Sequence, residues 1–86
     1  MRNLEQPFGD AIKARRRQLG YSQEALSFRA GLHRNYISDI ERGLKSPSLR
    51  VIVKLAEALG MEASTLVRMA EMSPIETKTP PFGEVE

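Results

Sequence analysis

SQEALSFRAGLHRNYISDIERGLKSPS, residues Ser22 to Ser48, is the stretch that decides how this chain folds. It reads as two short helices joined by a tight turn at Gly31. Ser22 suits the cap of the first helix, because its hydroxyl can accept one of the N–H groups that every helix start leaves without an intrahelical acceptor. Gln23 then stands where its side-chain amide and its backbone N–H can both be offered to a phosphate. Leu26 and Ala30 face inward. The small residues Ser27 and Ala30 let two helices approach, and Gly31 supplies the left-handed backbone conformation of a sharp turn. Ile37 and Ile40 anchor the second helix, predicted from about Arg34 to Arg42 and closed by Gly43. Glu41 joins those isoleucines on the inner side, so Arg34, Asn35, Ser38 and Asp39 are left facing outward.

Upstream, a helix begins at or near Pro7, since proline is tolerated in a first helical turn, and Asp10 sits near its positive end. Phe8, Ala11, Ile12 and Leu19 fall on one apolar stripe, and Gly20 ends it. Lys13, Arg15, Arg16 and Arg17 cannot all face outward at about 3.6 residues per turn. Arg16, four residues after Ile12, is the cation best placed beside the stripe. Downstream, Ser46, Pro47 and Ser48 read as N-cap, first-turn proline and helix start, with Leu44 to Ser46 as the connecting loop. Leu49, Ile52, Val53, Leu55, Ala56 and Leu59 then make a wide apolar face on a fourth helix, which Gly60 stops. A fifth, from about Ala63 to Glu71, carries Leu66, Val67 and Ala70 at helical spacing. Met69 and Met72 are left over, either as fillers of core gaps or as a dimer surface, where methionine adapts well to a partner. From Ser73 the composition changes to SPIETKTPPFGEVE, with three prolines and no periodicity. The expectation is an all-α, five-helix domain over residues 1–72 and a flexible acidic tail over 73–86.

The totals agree with one small domain. Eighty-six residues at 41% hydrophobic can bury a single core with little to spare. Absence of cysteine excludes disulfides and thiolate metal sites. No apolar run approaches the roughly 18 residues a membrane span requires, and MRNLEQPFGD has no signal-like apolar segment, so a cytoplasmic protein is expected. His33 is the only histidine and stands without clustered carboxylates, which gives a metal, a cofactor or a catalytic centre nothing to be built from. Net charge is only +2, but residues 1–60 hold eleven Lys and Arg against six Asp and Glu, and residues 61–86 hold two against five. Basic charge thus gathers in the part that contains the polar-faced helix. A nucleic-acid footprint and a solvated basic face both fit that distribution.

The spacing Gln23, Ser27, Ala30, Gly31, Leu32, Ile37, Ile40 is that of a helix-turn-helix. GYSQEAL, then AGLHRNYISDIERG, a short basic loop, PSL and LAEALG together resemble the phage-repressor-type helix-turn-helix family, often called the Xre family, which includes the lambda repressor. The resemblance covers about residues 8 to 71. It implies a lambda-repressor-like bundle that binds operator DNA as a dimer. It implies base-reading places for Arg34, Asn35 and Ser38, with Asp39 adjoining, and phosphate contacts for Gln23, Arg42, Lys45 and Ser46. It further implies an internal ion pair between Arg16 and Glu41. RNYIS also resembles the controller proteins of restriction-modification systems, in which the position of Tyr36 approaches DNA. Two departures are visible. Ser27 replaces the usual alanine, so its hydroxyl must find a local carbonyl. His33 takes an N-cap place more often held by serine or threonine, which weakens the cap and adds a donor near phosphate.

On this reading, Arg34 suits a bidentate contact to guanine and Asn35 one to adenine. Asp39 has three open roles: accepting from cytosine, orienting Arg34 or Asn35, or repelling wrong sites. One such helix reads too few base pairs to select a site, so a homodimer on a near-palindromic operator is expected, through some of Val51, Leu66, Met69 and Met72. The rival expectation is an antitoxin-type interaction module on the same fold, holding a protein partner through the acidic tail. An enzyme has no nucleophile–base pair, metal cluster or phosphate-binding glycine loop to rest on.

Overall fold

The computed structural model describes residues 3–72. Within them lie five helices and no strand: α1 (Glu5–Gln18), α2 (Gln23–Ala30), α3 (Arg34–Glu41), α4 (Leu49–Ala58) and α5 (Ala63–Glu71). The expected tail, 73–86, lies outside the described residues. α1 packs on α5 and α3, α2 on α3 and α4, and α4 on α5. Ile12, Leu26, Ile37, Ile40, Leu55, Leu59 and Leu66, drawn from all five helices, are completely buried where these contacts converge.

Local chemistry sets the helix limits. Ser22 Oγ accepts from the Ala25 N–H at 3.0 Å and starts α2. Gly31, at φ +69°, ends it in the left-handed region. The Ser27 hydroxyl donates to the Glu24 carbonyl at 2.8 Å, which satisfies the polar group that replaces an alanine in this buried place. α4 starts differently from the expectation. Its cap is Ser48, whose Oγ accepts from the Val51 N–H at 3.2 Å, and Pro47 precedes the helix instead of opening it. Ser46 and Pro47 remain in the connection from α3, where Pro47 lines a depression together with Phe8, Ile52 and Val67.

Two of the apolar stripes are narrower than their sequences suggest. Leu49, the first residue of α4, is 75% exposed, and Val53 and Leu19 are also exposed. Gly9 shows a constraint of another kind. A Cβ built there would collide with the Ile40 carbonyl oxygen and lie 2.9 Å from that of Glu41, so α1 and α3 cross nearly backbone to backbone. The close crossing brings the α1 side chains within reach of the end of α3, and there the polar interior is built.

Candidate nucleic-acid interface

α3 has the two-faced pattern of a helix that leans on a core with one side only. Ile37 and Ile40 are buried beneath it, while Arg34 and Asn35 in its first turn are exposed. Neither of these two side chains makes a hydrogen bond or ion pair with another described residue. Ser38 is half-buried one turn further on, and Tyr36 is half-buried with its ring packed against the core. His33 holds the N-cap position in extended backbone, is exposed, and makes no side-chain capping bond. Its imidazole is therefore left to solvent or to a ligand at the helix start.

Asp39 is engaged within the chain. Its Oδ1 accepts from Arg42 Nη2 at 3.1 Å, so the side chain it holds in this structure is that of Arg42 and neither Arg34 nor Asn35. Arg42 is largely exposed, so this pair contributes little to stability but holds a guanidinium beside the end of α3. Lys45 and Ser46 follow, exposed, in the connection to α4.

Beneath this surface lies a buried ionic cluster. Arg16 Nε donates to Glu41 Oε2 at 2.6 Å and Nη2 to Glu41 Oε1 at 3.1 Å, a forked pair between α1 and the last residue of α3. Arg16 Nη1 donates to the Tyr21 carbonyl at 2.7 Å, fixing the link into α2. Gln23 Nε2 donates to Glu41 Oε1 at 3.0 Å. Gln23 was expected to offer its amide to a phosphate; one of its two amide protons is already used inside the chain. The second N–H and the backbone N–H of Gln23 have no acceptor among the described residues.

Other links position the site. Gln6 Nε2 donates to the Glu41 carbonyl at 3.3 Å and to Asp10 Oδ1 at 2.9 Å, closing the end of α3 from α1. Arg15 Nε donates to the Leu59 carbonyl at 3.1 Å and so caps α4. Neither link was anticipated, because each joins residues distant in the chain whose types alone name no partner. Phe28 was also missed as a surface residue: it is 87% exposed on α2, on the face opposite Leu26.

The four residues assigned to a dimer surface do not share one environment. Met72 is 69% exposed, while Val51 and Met69 are half-buried at the edge of the core. Leu66 has no exposed surface at all; it fills the interior between α5 and its neighbours, so it supports that edge from within and cannot touch a second chain. No cluster of three or more His, Cys, Asp or Glu able to hold a metal occurs among the described residues. Nor is any described helix long and apolar enough to cross a membrane.

A five-helix bundle with a helix–turn–helix at its centre and an unpaired polar first turn on the outer helix defines a class of DNA-binding domain. The helix-turn-helix family pattern matches residues 12–66. The control protein C.BamHI of Bacillus amyloliquefaciens is 39% identical over 77 residues, spanning 88% of this chain and 95% of that protein. Among solved structures, the restriction-modification controller protein C.AhdI from Aeromonas hydrophila superposes with a TM-score of 0.70 at 43% identity, over 71% of this chain and 92% of that one. SinR, a master regulator for biofilm formation solved in complex with DNA, superposes with a TM-score of 0.67 at 36% identity, over 70% and 97%. The chain belongs to the Xre-like helix-turn-helix family of DNA-binding transcription regulators.

Proposed function

We propose that this protein is a sequence-specific regulator of transcription that binds a near-palindromic operator in double-stranded DNA as a homodimer. The observation that carries the reading is the first turn of α3, where Arg34 and Asn35 are exposed above buried Ile37 and Ile40 and have no polar partner among the described residues. A side chain held ready on a rigid helix and bonded to nothing else is what direct readout requires. Arg34 pairs with guanine and Asn35 with adenine, and Ser38 contacts the neighbouring base. Asp39 acts through Arg42, which with Lys45, Ser46, His33 and Tyr36 meets the flanking sugar-phosphate backbone. Gln23 meets it from the start of α2.

Two copies are needed because an eight-residue helix spans only about 12 Å. Half-sites about 34 Å apart would put both copies on one side of the duplex. Val51, Met69 and Met72 form the contact between them, with Leu66 behind. The protein acts in the cytoplasm, on the nucleoid. Its likeness to two control proteins favours a restriction-modification system as the setting, which neighbouring nuclease and methyltransferase genes would support.

Random-site selection with purified protein tests the reading. A single enriched sequence with inverted symmetry is expected. Recovery of unenriched duplex, with affinity independent of sequence, would remove the operator-reading role.

A further inference from the structure

The buried ionic cluster holds one more donor than charge neutralisation needs. Arg16 satisfies Glu41 with two hydrogen bonds, yet Glu41 Oε1 also accepts from Gln23, eighteen residues earlier in the chain. Gln23 is the first residue of α2, at a helix start where only the Ala25 N–H is capped by Ser22. A free glutamine side chain samples many rotamers, and fixing it on binding costs conformational entropy. Here one amide proton is anchored on a carboxylate that Arg16 and burial hold rigid. The planar amide therefore presents its second N–H in a set direction beside the free backbone N–H of the same residue.

We propose that Glu41, which lies under the interface and is shielded from solvent, is a positioning residue for DNA binding. It holds the Gln23 carboxamide in the orientation that donates to a backbone phosphate. This rests on the DNA-binding reading above and deepens it. The Glu41 charge does not repel the phosphate in this arrangement, because the Arg16 guanidinium neutralises it at hydrogen-bonding distance. The same carboxylate connects the end of α3 with the start of α2, so the groove-entering helix and the phosphate donor keep a fixed relation.

A double-mutant cycle on the selected operator duplex, read by fluorescence anisotropy at denaturant-free conditions where each variant is shown folded, tests this. Gln23→Met removes the donor and should weaken binding roughly tenfold, the worth of one hydrogen bond to a charged acceptor. It should leave the salt slope unchanged, since no charge is lost. Glu41→Asp retains the charge facing Arg16 but withdraws the oxygen from Gln23, and should weaken binding by a similar factor. The double variant should bind no more weakly than Gln23→Met alone. Multiplying losses in the double variant, or wild-type affinity for folded Glu41→Asp, would overturn the proposal.

If Glu41→Asp does not fold, NMR of the unaltered chain decides. One Gln23 side-chain amide proton should be protected from exchange in free protein and the other should shift when operator is added. Two freely exchanging protons would refute the anchoring. Failure to select any operator would count against the DNA reading itself, whereas additive losses on a genuine operator would count against the positioning role alone.

Discussion

Replacing Gly9 by alanine should destabilise the protein, against what helix propensity alone says. Alanine in a helix interior is favoured over glycine by about 0.5–1 kcal/mol. At Gly9, however, the added Cβ would overlap the Ile40 carbonyl oxygen and press on that of Glu41, both backbone atoms that cannot rotate away. α1 would have to lift from α3, loosening Ile12 against Ile40 and stretching the Arg16–Glu41 fork. Overpacking of this kind costs about 1–3 kcal/mol, and the rigidity of the backbone obstacle argues for the upper end. A net loss of about 2 kcal/mol would lower the melting temperature of a domain this small by roughly 8–16 °C. Thermal and urea unfolding followed by far-ultraviolet circular dichroism measures it. Ala14→Gly, at an exposed place in the same helix, serves as the control and should lose about 0.5–1 kcal/mol from propensity alone. A Gly9→Ala variant as stable as the wild type, or more so, would show that the α1–α3 crossing is not as close as described.

Arg34→Ala should cost about 1–3 kcal/mol on the selected operator and relax preference at one symmetric pair of positions, as measured by repeating the selection. Lys45→Ala should weaken binding to all duplexes alike and flatten the salt dependence; equal behaviour of the two variants would show that reading and anchoring are not divided this way. Arg16→Met leaves the Glu41 carboxylate buried without its cation, and should reduce unfolding free energy by about 3–5 kcal/mol in urea titrations. Met72→Lys should shift sedimentation from dimer towards monomer with little change in melting behaviour, because Met72 is exposed within one chain. A dimer that survives this change and Val51→Asp together has its contact elsewhere.

The five helices and the turn at Gly31 could be read from spacing, because caps, glycines and apolar periodicity act over a few residues. Arg16 could be placed by the simple crowding of four cations on one helix. The need of Ser27 for a carbonyl was legible for the same local reason. What escaped was tertiary. Ser46 and Ser48 are equally good caps in isolation, and it is Ser48 that starts α4. Leu66, on the apolar face of the fifth helix, and Met72, left over from it, were both open to a dimer contact in the sequence, but one fills the core and the other leaves it. Gly9 did carry a signal, since glycine within a helical pattern often marks a close approach, though nothing in its neighbours says what approaches. The Gln23–Glu41 bond was hidden because each residue had a plausible separate task.

Among the described residues, Arg34 and Asn35 have no hydrogen-bonding or ionic partner, and only the chain itself ties them to the scaffold. Exchanging them should therefore leave folding almost untouched, so target preference is free to drift between lineages without a compensating repair in the interior. Two sister copies in one cell could be insulated from each other's promoters by changes at these two positions. Transplanting the pair between such paralogues would reveal whether the address can be rewritten independently of the framework that carries it.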